Sequence, residues 1–179
     1  MFVIRPAGTG DQDQVSAMVR ARADWLHERG LNGSDGWRNF AEDYGRQAAD
    51  SGFPVWVLTR DDKVVGATCL YEESPAWFWT EAERAEPAFF VASTVTHPAL
   101  AGQRVGYLML RWVLDHAART GKRWVRRGTW EPGLVRYYTQ VQGWTIVRQK
   151  ERDGVVVTGL ARLAELQPDL GVRAAVAVE

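Results

Sequence analysis

Cysteine is nearly absent from this chain. Cys69 is the only one, which excludes an internal disulfide framework, and its neighbours Ala67, Thr68 and Leu70 mark it as a buried strand thiol rather than a nucleophile. Histidine is scarce as well: His27, His97 and His116 share no ligand spacing, so a zinc or iron site is not expected. Neither sign of charge is in excess. With 22 Lys and Arg against 22 Asp and Glu, there is no net field to draw the protein to nucleic acid or to a membrane surface. No apolar run approaches a membrane span and no basic segment leads into one at the start, so a cytoplasmic protein is expected. No segment repeats.

What is present is an ordinary globular balance, 46% apolar and 25% charged over 179 residues. A domain of that size buries about two-thirds of its unfolded surface. Residues 1–162 read as this domain, and residues 163–179, rich in Ala and Val without a clear period, as a C-terminal tail. Phe2, Val3, Ile4 and Arg5 before Pro6 predict a first strand. A capped helix follows with Val15, Met18, Val19, Trp25 and Leu26 on one face and Gly30 past its end. A second helix carries Trp37, Phe40, Tyr44 and Ala48 and stops at Gly52. Residues 55–59 and 64–71 predict strands joined by a short turn at Asp61-Asp62-Lys63. Residues 72–87 interleave Glu72, Glu73, Glu81, Glu83 and Glu86 with Trp77, Phe78 and Trp79, and read as a long surface loop with room for a helical turn.

The chain is organised around residues 95–119. Phe89, Phe90, Val91, Thr94, Val95 and Thr96 predict a strand that cannot pass Pro98, and Val105, Leu108, Met109, Trp112 and Val113 recur at helical spacing up to Gly121. Between them, Ala101-Gly102-Gln103-Arg104-Val105-Gly106 presents backbone N–H groups at the positive end of a helix, which is an anion site. Gly102 and Gly106 let a phosphate approach the backbone, and Arg104 adds charge. Beyond this helix come a strand over 123–129, parallel to the last one, a helix opened by Glu131-Pro132, and a hairpin of 144–148 with 155–160 turning at Asp153-Gly154.

The turn fits neither the three-glycine dinucleotide fingerprint nor the Gly-Lys-Ser/Thr ending of a P-loop. It resembles the pyrophosphate-binding turn of the GNAT superfamily of acyl-CoA-dependent N-acyltransferases, Gln/Arg-x-x-Gly-x-Gly/Ala after a Val-x-Pro-like segment. Thr96-His97-Pro98 stands for that segment, Ala101 takes the Gln/Arg position, Arg104 that of the first glycine and Gly106 that of the last. Residues 134–144 resemble the family's closing helix, with a Tyr shortly before Gly143-Trp144; Tyr137 and Tyr138 both qualify.

This resemblance implies an α/β fold of GNAT type: a mixed sheet of about six to seven strands, about four flanking helices, and a V-shaped splay between two central parallel strands. It implies acetyl-CoA as cosubstrate and transfer of its acetyl group to a primary amine by direct attack in a ternary complex. Val95 and Thr96 then hold the thioester and pantetheine arm, and Ala101, Gly102, Gln103, Arg104, Val105, Gly106 and Tyr107 hold the diphosphate. Tyr138, nearer the Gly-Trp turn, is preferred to Tyr137 as proton donor. The general base is open among Glu72, Glu73, Glu131, His97 and a water chain, with Glu131 carried forward. Trp25, Trp37, Trp77 and Trp79 fall in elements that line the acceptor side in this family, where tryptophan faces beside acidic groups suit a cationic or aromatic amine. A small-molecule amine is favoured over a protein, because the loop with Trp77 and Trp79 can enclose a pocket; a homodimer is left open. The rival is a catalytically weak or inactive domain of the same architecture that binds CoA or a partner protein, kept alive by the altered turn positions Ala101 and Arg104.

Overall fold

In the computed structural model, which describes residues 1–175, Asp11 fixes where the first helix begins. Its buried carboxylate accepts bonds from Arg5 at 2.7 and 2.8 Å and from the Gly8 amide at 2.9 Å. Burial raises this carboxyl's pKa, but Arg5 and Gly8 outweigh it and hold the group below its ordinary value. From there the chain enters helix α1 (Gln12–Glu28), then α2 (Ser34–Ala49). Val15, Met18, Val19 and Ala23 form the buried face of α1, and Ala41, Tyr44, Gly45 and Ala48 that of α2. A Cβ on Gly45 would lie 2.0 Å from the Ser16 hydroxyl and 2.7 Å from the Gln12 carbonyl, so the absence of a side chain lets the two helices close up.

These helices belong to one of two compact units, made among the described residues of Met1–Cys69, Ser93–Leu110 and 169–175. Its strands are β1 (Phe2–Pro6), β2 (Val55–Arg60) and most of β3 (Lys63–Tyr71), with the second half of β4 (Ala88–Thr96) and the start of helix α4 (Val105–Arg119). β2 and β3 are joined by Asp61 and Asp62, both at positive φ (51° and 61°), the turn geometry that matches strand twist.

The second unit comprises Leu70–Ala92 and Arg111–Pro168. It holds the short helix α3 (Glu81–Arg84), the first half of β4, the rest of α4, strand β5 (Trp124–Thr129), helix α5 (Pro132–Gln140), and the hairpin β6 (Thr145–Arg152) with β7 (Val155–Leu163). β5 pairs parallel to β4 and antiparallel to β7. The loop over 72–87 is docked, not loose. Phe78 and Trp79 are buried with Ala161, and a Cβ on Gly159 would fall 2.1 Å from the Phe78 ring. Thr80 and Glu83 form a reciprocal capping box that starts α3, a Thr-x-x-Glu signal present in the sequence.

A final strand, β8 (Val172–Ala174), pairs parallel with β1, Phe2 opposite Val172. Among the described residues the sheet order is β6-β7-β5-β4-β3-β2-β1-β8, eight strands where about six to seven were expected, and α3 makes five helices where about four were. The residues expected to form a tail after 162 therefore complete β7 at Leu163 and add β8, while 176–179 lie outside the described residues. Three partly exposed edge residues carry no alternation for a sequence reading to find. No helix among the described residues is long and apolar enough to cross a membrane.

Arg148 draws the Glu83 carboxyl down from 4.5 to about 2, against a smaller opposing effect of burial and with help from Thr80. Because the folded value lies below the unfolded one, the stabilisation is complete above pH 4.5 and is lost as pH falls toward 2. Glu83→Gln is expected to cost about 1 kcal/mol at neutral pH and to flatten the fall in Tm through this acid range, as thermal melts across it will show.

Candidate active site

The end of β4 is shaped by a break in its own regularity. Ser93 takes a left-handed φ of 52° in mid-strand, a conformation that departs from extended backbone. The parallel ladder with β5 consists of Ala88, Phe89 and Phe90 opposite Trp124, Val125 and Arg126, and β4 runs on to Thr96 beyond its last pair. Val95 is buried. Thr96 is held by Arg22 of α1, which donates to its carbonyl at 2.7 and 3.0 Å and to its hydroxyl at 2.8 Å. Burial lowers the Arg22 pKa below its ordinary value. The His97 amide bonds the Val65 carbonyl at 2.8 Å, and its Nδ1 accepts the Ala99 amide at 3.2 Å, closing the short turn Pro98–Leu100.

After this turn the backbone amides can be accounted for one at a time. Ala101 donates to Pro98 at 2.9 Å, Gln103 to Leu100 at 3.1 Å, and Tyr107 to Arg104 at 3.0 Å. The amides of Gly102, Arg104, Val105 and Gly106 have no acceptor among the described residues. All four lie at the start of α4, a 15-residue helix whose dipole is positive there. The turn is also open: a Cβ on Gly102 or Gly106 would meet no atom within 4 Å. Gly102 is required for its backbone, at φ 83°, and Arg104 shares the left-handed conformation at 55°. The turn residues expected from the sequence to hold the cofactor are contiguous, but Ala101, Gln103 and Tyr107 have already committed their amides. Gln103 instead accepts a side-chain bond from Arg60 at 3.3 Å.

In the second unit, α5 ends in a turn organised by its own tyrosines. The Tyr137 carbonyl accepts from Val141 and Gln142, the Tyr138 carbonyl from Trp144 at 3.0 Å, and Gly143 supplies the positive φ of 69°. Tyr137 is 36% exposed, whereas Tyr138 is 8% exposed with its ring against Trp144 and under Arg127 of β5, whose guanidinium carbon is 3.9 Å from the ring centroid. The Tyr138 hydroxyl makes no hydrogen bond among the described residues and is not sealed from solvent. Burial raises its pKa, Arg127 acts in the opposite direction, and Tyr137 adds a smaller rise. Glu131 is the N-cap of α5, but its carboxylate caps nothing: half-buried, it has no hydrogen bond or ion pair among the described residues.

The four tryptophans divide between the units. Trp25 in the first is flanked by Arg22 at 4.9 Å and Arg29 at 4.3 Å, and Trp37 contacts Phe40. In the second, Trp79 is a core residue, and Trp77 is 39% exposed with Arg152 over its ring at 4.7 Å. The acids near them are largely spoken for: Glu72 pairs with Lys122, Glu83 with Arg148, and Glu86 with Arg126 and the Trp124 indole. Glu73 is free of ion pairs among the described residues, as is Arg84, and both line an open pocket of about 330 Å³ with Tyr71, Ser74 and Phe90. No group of three or more His, Cys, Asp or Glu is gathered among the described residues as a metal would require. The contacts of Arg22 with Thr96 and of Arg127 with Tyr138 carry no sequence signal, because each joins residues of different elements.

A family model described as the Acetyltransferase (GNAT) family matches residues 16–144. Comparison with curated proteins gives no match. Solved structures of similar fold include a GNAT-family acetyltransferase from Listeria monocytogenes 4b F2365, 14% identical with a TM-score of 0.69 over 90% of this chain and 94% of that one. An acetyltransferase from Salmonella typhimurium, solved with acetyl-CoA, is 19% identical with a TM-score of 0.55 over 93% and 96%. Aminoglycoside 6'-acetyltransferase type Ii is 11% identical with a TM-score of 0.66 over 93% and 99%. At these identities the structures establish likeness of fold, and the family match spans the strand end, the amide-bearing turn and the α5 tyrosines alike. This chain belongs to the GNAT acetyltransferase family.

Proposed function

We propose that the chain transfers the acetyl group of acetyl-CoA to a primary amine of a small molecule by direct attack in a ternary complex. The observation that carries this reading is the row of acceptor-free amides on Gly102, Arg104, Val105 and Gly106. A diphosphate suits them: it brings several anionic oxygens to one helix start, where N–H groups and the dipole both favour negative charge. The Salmonella relative with acetyl-CoA supports the choice of donor. The rival, a domain that binds CoA without turning it over, arose from Ala101 and Arg104. Arg104 stands in a left-handed backbone conformation that glycine adopts without strain, so its position is one where a glycine fits and the arginine adds a charged side chain.

In this reading Tyr138 gives a proton to the departing thiolate, and Glu131, half-buried and unpaired, takes one from the attacking amine. The pocket of about 330 Å³ supports a small acceptor, being of the size small ligands fill. Its Glu73 offers a carboxylate to an ammonium group. The pairing of Glu72, Glu83 and Glu86 leaves Glu73 and Glu131 as the acids assigned to the site in this reading, and of Trp77 and Trp79 it is Trp77 that is exposed to meet an acceptor.

Acetyl-CoA at about a hundred times its Kd is expected to stabilise the protein by about 2.7 kcal/mol, read as a rise in Tm, while NAD gives no comparable rise. Gly106→Leu places a side chain in open space, so the unliganded Tm should be kept while the acetyl-CoA rise disappears. Arg104→Gly removes a left-handed non-glycine residue and is expected to raise the unliganded Tm by an amount equivalent to about 1 kcal/mol. Tyr138→Phe should lower kcat by about a hundredfold with acetyl-CoA affinity unchanged, measured as thiol release with a panel of amines. Thiol release at the wild-type rate would remove Tyr138 from the mechanism.

A further inference from the structure

Arg127 is the buried cation that the reading above does not use. It is 9% exposed, has no ion pair among the described residues, and its Nε–H is sealed from solvent without an acceptor. Its neighbour Arg126, on the opposite face of β5, shows the ordinary solution: a carboxylate at 3.1 Å from Glu86, the Glu83 carbonyl at 2.6 Å and the Ser74 hydroxyl. What Arg127 has instead is two aromatic faces, Tyr138 at 3.9 Å and Trp144 at 5.5 Å. An unpaired guanidinium in such a place is costly and is retained only against something that benefits from an uncancelled positive charge.

We propose that Arg127 is a positioning residue that makes Tyr138 the proton donor, its cation stabilising the phenolate that forms when the hydroxyl proton leaves. The inference rests on the acetyl-transfer reading. In that step the amine nitrogen bonds the acetyl carbon and the carbon–sulfur bond breaks. Sulfur keeps the bonding electron pair and takes the Tyr138 proton, and the surplus proton on nitrogen passes to Glu131 or to water. Negative charge then appears on the phenol beside Arg127, where the low-dielectric surroundings strengthen the attraction. A carboxylate partner on Arg127 would cancel this effect, which accounts for its absence. The other groups near Tyr138 do not supply the same charge. Tyr137 on its own helix is neutral until it ionises, and Arg162 of β7, across the Gly143 turn, is engaged by Glu165 at 3.1 Å and by the Gln142 carbonyl.

The test is the ionisation of Tyr138 followed by ultraviolet absorbance of phenolate, isolated by subtracting the titration of Tyr138→Phe and made on protein without acetyl-CoA. Arg127→Met is expected to move the Tyr138 step to higher pH by about one pH unit or more, with Arg127→Lys restoring most of the difference. The basic limb of kcat against pH should move the same way, and kcat at neutral pH should fall about tenfold with KM for acetyl-CoA unchanged. Arg127→Gln, which keeps a planar polar head without charge, takes the place of the methionine variant if that one does not fold. A Tyr138 step at the same pH in wild type and in the neutral variant overturns the proposal, as does a lysine variant no better than the neutral one. An Arg127-dependent step in a protein that releases no thiol with any amine supports the coupling and overturns the acetyl-transfer reading instead.

Discussion

A helix cannot satisfy its own first amides, and here those of Gly102, Arg104, Val105 and Gly106 find no other partner among the described residues. The backbone achieves this by two left-handed residues, Gly102 and Arg104, placed between a strand end and α4. Each device upstream serves to deliver the chain to that point. Ser93 breaks the extended backbone of β4, Arg22 clamps Thr96, and His97 closes the short turn over Pro98. The glycine at 106 has no steric duty inside the protein, since a side chain there would touch nothing. In the proposed reading its bareness serves a ligand arriving from outside.

Charge is handled in two different ways on the two faces of β5. Arg126 is tied into the loop over 72–87, where it helps fasten an acidic segment whose carboxylates would otherwise repel. Arg127, one residue on and on the other face, is denied such partners and lies against rings. The same strand therefore supplies a structural cation and an uncommitted one. The cost of the second falls on stability, in keeping with the general finding that functional sites hold groups a purely structural design would neutralise.

Much of this was legible in the sequence because the signals are local. The two-glycine turn, the Asp153-Gly154 hairpin and the Tyr-Tyr segment before Gly143-Trp144 are each read within a few residues. What escaped is long-range or weakly patterned. β8 is three residues at a sheet edge, too short for a period. The clamp on Thr96 comes from Arg22, 74 positions earlier, and nothing in the helix around Arg22 distinguishes it from other exposed-face arginines. Tryptophans at 77 and 79 look equivalent in sequence, but the docking of Phe78 against Gly159 places Trp79 in the core and leaves Trp77 outside. Which amides of the turn are consumed by internal bonds was not legible either, because that depends on backbone angles that residue types leave open.

The most direct measurement is an amide proton–nitrogen NMR titration with coenzyme A. New hydrogen bonds to phosphate oxygens should move the amide protons of Gly102, Arg104, Val105 and Gly106 strongly downfield, while Gln103 and Tyr107, already bonded to Leu100 and Arg104, move little. Shifts confined to other parts of the chain, or equal for all six residues, would contradict the assignment of this turn as the diphosphate site.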